Sequence, residues 1–181
     1  MKMLALLLLN ATLLGAGESS DSLKVEIIEK LDKYVHLSEE LKAVEMSTGS
    51  ESAAYLELRE ELNQFTKDEY VSALRRGKDV VVANSDSEIL AAIIRAVLAA
   101  HGSKDDYRAF AMGEIFLSQP SAVEDAFLRL DLGLQRSLFT VLEDGFVKVS
   151  FRDKGIKNYD ALKKRLEALG ASIIDQPAQK K

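Results

Sequence analysis

The chain of 181 residues contains no cysteine, only two histidines, and no uninterrupted apolar run of transmembrane length. Without cysteine there is no thiol nucleophile, disulfide framework or iron–sulfur ligation, and a Cys/His zinc site is excluded with them. The GxSxG elbow, the Walker glycine loop and the HExxH helix are also missing. Positive charge is scarce: 24 Lys and Arg face 29 Asp and Glu, a net charge of −5. That balance is the opposite of what a nucleic-acid-binding domain presents to phosphate. What remains is 47% apolar residues in a chain long enough to bury a real core, which describes one ordinary folded domain rather than a disordered segment.

The first seventeen residues read as an export signal. Lys2 supplies the positive charge, and Met3 to Leu14 is apolar apart from Asn10 and Thr12. Gly15-Ala16-Gly17 then offers small residues ahead of the polar Glu18-Ser19-Ser20-Asp21. Twelve helical residues rise only about 18 Å, short of a hydrocarbon core of roughly 30 Å, so a cleaved signal is expected over residues 1–17 rather than an anchor. The expected location is periplasmic or secreted, in the envelope of a bacterium. No cysteine follows the apolar run to carry a lipid. An exported domain without cysteine must be held by packing alone.

A recurring helix-start pattern organises the body. Ser or Thr followed three residues later by an acid occurs at Thr48/Glu51, Thr66/Glu69, Ser85/Glu88, Ser103/Asp106 and Ser121/Glu124, at intervals of 18, 19, 18 and 18 residues. Each pair matches a capping box, in which the hydroxyl and the acid satisfy amides at a helix start. Between caps, Ile89, Leu90, Ile93 and Val97 show helical spacing, as do Tyr107, Phe110 and Phe116 before Pro120. A longer helix is expected over residues 21–44, and another over 131–143 with Gly145 ending it. The expected fold is mainly α: stacked helical hairpins, solenoid-like or an irregular bundle, over residues 18–145.

Residues 146–181 are expected to form a strand-and-helix cap with a basic tail. Val80-Val81-Val82-Ala83 and the alternating Phe146 to Phe151 both carry β-strand patterns, so a small β element is expected near the C-terminus. Asn158 is positioned to start a final helix through Leu162, Leu166 and Leu169, with Gly170 closing it.

Tests for chemistry return little. His101 and Asp105 have the i, i+4 spacing of a metal pair, but Gly102 and Ser103 interrupt the helix they would need. Asn84 to Glu88 alternates oxygen ligands, yet the calcium-loop glycine and twelfth-position acid are replaced by Ile89 and Arg95. Adjacent acids such as Glu60-Glu61 point about 100° apart on a helix and make no catalytic pair by themselves. No metal, cofactor or catalytic residue is therefore assigned.

Two surfaces remain as candidates. Tyr70 and Tyr107 stand four residues after their caps and 37 residues apart, so in stacked hairpins they would share a face with Arg75, Arg76 and Arg108. Tyrosine and arginine are the types enriched where protein partners anchor. Charge is also uneven: residues 18–145 carry 14 basic and 25 acidic side chains, whereas 146–181 carry nine and four. Lys163, Lys164 and Arg165 would give that end an anionic-surface contact. The function expected is non-catalytic binding of another protein in the envelope, as an adaptor, inhibitor or immunity-type protein. The competing expectations are an envelope hydrolase with carboxylates converging from separate helices, and peripheral membrane association through the basic C-terminal helix.

Overall fold

The computed structural model describes the backbone of residues 16–100 and 106–174, with side chains over 21–100 and 107–174. The expected signal lies outside the described residues, apart from the start of the first helix. Eight α-helices follow one another: α1 (Ala16–Thr48), α2 (Ala53–Phe65), α3 (Val71–Asn84), α4 (Ser87–Ala99), α5 (Asp106–Ser118), α6 (Pro120–Leu128), α7 (Leu132–Arg152) and α8 (Tyr159–Ile174). A π-helical segment, Thr66–Tyr70, joins α2 to α3 without a break. No strand occurs among the described residues. The fold is mainly α, as expected.

The hairpin rhythm does not survive. Helix lengths run from 33 residues in α1 to 9 in α6, which describes an irregular bundle rather than a repeat. Thr66 starts nothing: the chain on both sides of it is helical, and its hydroxyl donates back to the Leu62 carbonyl at 2.7 Å. Thr48 ends α1, and Ser52 caps α2 by accepting from the Tyr55 amide. Ser85 adopts a left-handed conformation (φ 56°) closing α3, while Asp86 caps α4 by accepting from the Glu88 and Ile89 amides, both at 3.0 Å. Ser121 sits inside α6, whose first residue is Pro120. The Ser103/Asp106 pair, Gly102 and His101 fall outside the described side chains. Regular spacing of hydroxyls and acids therefore reflected composition more than helix ends.

Both β expectations are overturned by helical burial. Val80 to Ala83 belongs to α3. Phe146 to Phe151 belongs to α7, because Leu138, Leu142, Phe146 and Val149 continue one buried stripe at steps of four, four and three. Helix α7 accordingly runs unbroken through positions 145 and 146, where a boundary was expected.

Gly145 does not end α7 either. It is a contact point: a Cβ there would lie 2.0 Å from the Ala109 carbonyl oxygen, and one on Gly113 would lie 2.5 Å from Gly145 backbone. Helices α5 and α7 thus touch backbone to backbone, and they form the most extensive helix pair of the bundle. Gly170 likewise lies inside α8, where a Cβ would meet the Phe139 ring at 2.7 Å. Asn158 does precede the last helix, with φ 58° and its carbonyl accepting from the Leu162 amide.

A single core joins the helices. Ile27 and Leu31 of α1 meet Leu74 and Val81 of α3 and Ile89 and Ile93 of α4, and the same cluster runs on through Met112, Phe116, Phe127 and Leu142. Tyr34 and Tyr70 stack inside it with ring centroids 3.7 Å apart. Ion pairs tie the rim between helices: Lys24 to Asp86 and Glu88, Arg76 to Glu26, and Arg95 to Asp32.

Candidate functional site: a groove between α3 and α5

The packing of α3 on α5, closed at one end by the last turn of α7, leaves a cleft of about 470 Å³. Val71, Leu74, Arg75, Lys78 and Asp79 form one wall, Tyr107, Phe110, Ala111 and Glu114 the other, and Arg152 the end. These positions follow helical steps of three and four, so each wall is one continuous helix face. A second cleft of about 410 Å³ shares Lys78, Glu114 and Arg152 and continues past Val82, Leu117 and Val149 to Ile156 and Lys157. The two clefts are neighbours that share a bar of charged side chains as their common wall.

The bar is well bonded. Lys78 reaches Asp79 at 2.6 Å and Glu114 at 2.8 Å, and Arg152 donates to the other Glu114 oxygen. Burial alone would push the Glu114 carboxyl up, but the hydrogen bonds from Lys78 and Arg152 outweigh it and hold the group below its ordinary value. Lys78 shows the mirror image: burial would lower it, and Asp79 and Glu114 together raise it. Both groups are therefore fixed charges at neutral pH.

Aromatic rings flank the bar. The Arg152 guanidinium lies over the Phe110 ring, 5.3 Å from its centroid, and Arg75 lies over Tyr107 at 5.6 Å. Tyr107 is 50% exposed.

Of the five partner-binding candidates, the structure brings Arg75 and Tyr107 together in the groove. Tyr70 is corrected: it is wholly buried, stacked on Tyr34, and shares no surface with Tyr107. Arg76 faces α1 and grips both oxygens of Glu26 at 3.0 and 2.9 Å. Arg108 turns to α4, donating to the Val97 carbonyl. In the other candidate patch, Arg165 makes a bidentate pair with Glu124 at 2.6 Å and also donates to Ser121, which ties α8 to α6. Lys163 and Lys164 are exposed.

Lys78, Phe110, Glu114 and Arg152 were missed from sequence. Lys78 follows Arg75 by three and Glu114 follows Tyr107 by seven, so each shares a helix face with a residue that was singled out. Which faces meet is a tertiary matter: the expected face did bring Arg75 to Tyr107, but it also included Tyr70, Arg76 and Arg108, which turn elsewhere.

No group of three or more His, Asp or Glu side chains among the described residues converges as a metal site. His36 is exposed, 3.9 Å from Glu40. No helix among the described residues is long and apolar enough to cross a membrane. Compared with known proteins, the chain matches no family model, no curated protein and no solved structure.

Proposed function

We propose that this chain is a non-catalytic, exported protein that works by binding another protein in the bacterial envelope, in an adaptor, inhibitor or immunity-type role, with the α3–α5 groove as its docking face. One observation carries the reading: Arg75 and a half-exposed Tyr107 stand together at the mouth of a cleft floored by Val71, Leu74 and Phe110. Aromatic and arginine anchors over an apolar floor are what protein interfaces concentrate at their centre. A cleft of about 470 Å³ also falls in the usual range of ligand sites.

The groove argues less well for a hydrolase. Asp79 and Glu114 do converge from separate helices, both bonded to Lys78. A general acid must hold its proton near neutral pH, however, and Lys78 with Arg152 drives Glu114 the other way. Membrane association through α8 loses one of its three cations, because Arg165 is committed to Glu124.

Crosslinking tests the proposal. A photo-crosslinking residue is placed at position 107 in one copy of the tagged chain and at Lys164 in another, and adducts are collected in the native envelope. One dominant protein adduct from position 107, absent from 164, is the expected result. Adducts spread thinly over abundant proteins from both positions would overturn it and turn attention to substrate screening.

A further inference from the structure

The proposed docking face carries a chemical signature of its own. The two neighbouring clefts are lined by four basic side chains (Arg75, Lys78, Arg152, Lys157) and three acidic ones (Asp79, Glu114, Asp153). The chain as a whole is acidic, at −5, so the groove is a local reversal of sign.

The charges in it are not equally engaged. Asp79 and Glu114 are taken up by Lys78, and Glu114 also by Arg152. Arg75 holds no carboxylate among the described residues and rests on the Tyr107 ring. Four other arginines do hold one: Arg76 on Glu26, Arg95 on Asp32, Arg152 on Glu114 and Arg165 on Glu124. Arg59 likewise lies over a ring, that of Tyr55, but Arg75 is the arginine of this kind that lines the groove. A guanidinium on an aromatic face is held more weakly than one forked onto a carboxylate, so Arg75 is ready to exchange its ring for an acid while Tyr107 keeps its own apolar contact. Arg152, at the far side of the same cleft, is held by Glu114 and the Phe110 ring and adds positive charge there rather than a free fork.

We infer that the segment received by the groove is both acidic and apolar: a carboxylate set on Arg75, with Arg152 at its back, beside an aromatic or leucine-like side chain against Tyr107, Phe110 and Leu74. This rests on the α3–α5 groove being the docking face. Charge complementarity supplies the acid, and the exposed ring over an apolar floor supplies the neighbouring side chain.

A random-heptapeptide display library panned against the full chain gives the test. Enriched peptides are resynthesised with a fluorophore, and their anisotropy is measured on the unaltered protein and on Arg75→Ala, Arg75→Lys and Tyr107→Ala. The expected peptides carry Asp or Glu within two positions of Phe, Tyr or Leu. They bind Arg75→Ala at least about tenfold more weakly, recover part of that loss on Arg75→Lys, and weaken as salt rises. Replacing the peptide acid by its amide should give a similar loss on the unaltered protein and little further loss on Arg75→Ala. Peptides without an acid that bind Arg75→Ala undiminished but fail on Tyr107→Ala would overturn this inference and leave the groove as docking face. Peptides indifferent to both substitutions, or no enrichment at all, would remove both. Unchanged thermal melts show that the variants are folded, as both side chains are exposed.

Discussion

Two helix interfaces in this bundle do the same task by different means. Where α1 meets α3 and α4, branched side chains fill the space: Ile27, Leu31, Leu74, Ile89 and Ile93 are buried against one another. Where α5 meets α7, side chains are removed instead, and Gly113 and Gly145 bring the two backbones into contact. The first arrangement depends on volume and the second on the absence of it. A side-chain interface has rotamers and methyl groups that yield by tenths of an ångström, whereas a carbonyl facing a glycine has nothing to move. The two regions should therefore respond very differently to the same chemical change.

The sharpest break comes from one methyl group. Gly145→Ala would place a Cβ 2.0 Å from the Ala109 carbonyl oxygen, so the helices must separate. The expected loss is at least about 4 kcal/mol in a urea titration, a large part of the stability of an ordinary domain. A loss below about 1 kcal/mol would show that the α5–α7 crossing adjusts as readily as a side-chain core.

Next comes the deletion of volume on the other side. Ile93→Ala removes buried atoms and leaves a cavity between α1, α3 and α4, with an expected cost of about 3 kcal/mol by the same titration.

Gly77 sharpens the comparison because it is a glycine inside the side-chain interface. Its added Cβ would meet the Cγ2 methyls of Ile27 and Ile89 and the Cδ1 of Ile93, at 3.1 to 3.3 Å. Helix propensity gains about 1 kcal/mol from Gly→Ala, and the squeeze opposes it, so Gly77→Ala should lie within about 1 kcal/mol of the unaltered protein. In an Ile93→Val background, which deletes the Cδ1 atom in contact, the same substitution should become more favourable. A double-mutant cycle with no coupling would contradict the contact.

The smallest effect concerns charge at the edge of the side-chain interface. Arg76 and Lys30 hold Glu26 down to about 2 from 4.5. Its folded value is depressed, so the contribution is present above pH 4.5 and is lost as pH falls through about 2. Glu26→Gln should therefore flatten the acid limb of a thermal-midpoint profile over that window while leaving the neutral-pH fold intact. An unchanged slope would mean that the pair contributes nothing to acid sensitivity.

The same contrast explains what the sequence disclosed. Apolar stripes at helical spacing, such as Ile89, Leu90, Ile93 and Val97, declare a buried face locally, and the α4 core was legible for that reason. Gly145 carried an ambiguous message, because a glycine after an apolar stretch reads as a helix end unless its neighbour across the interface is known. The capping series failed for a related reason: a hydroxyl followed by an acid is common on any polar helix face, and among the described residues the side chains that cap by geometry are Ser52, Asp86 and Asp131. Half of the groove was legible, since Arg75 and Tyr107 are residue types that stand out. Lys78 and Arg152 carry no local signal, because it is the packing of α3, α5 and α7 that places Glu114 between them.

The π-helical segment has a consequence for the length of the chain. One line of buried positions along α2 and α3 advances by three, four or seven residues (Tyr55, Leu62, Phe65, then Tyr70, Leu74, Gly77, Val81, with Ala73 beside it), except for one stride of five from Phe65 to Tyr70. A wider turn accommodates the additional residue without rotating either flanking face away from the core. Removing one amino acid from Lys67 to Glu69 would turn that stride into an ordinary four and the segment into plain α-helix. A codon lost elsewhere in these helices would swing every following side chain by about 100°. This is the place in the long α2–α3 rod where the gene can shorten by three nucleotides and the protein still close around the same interior.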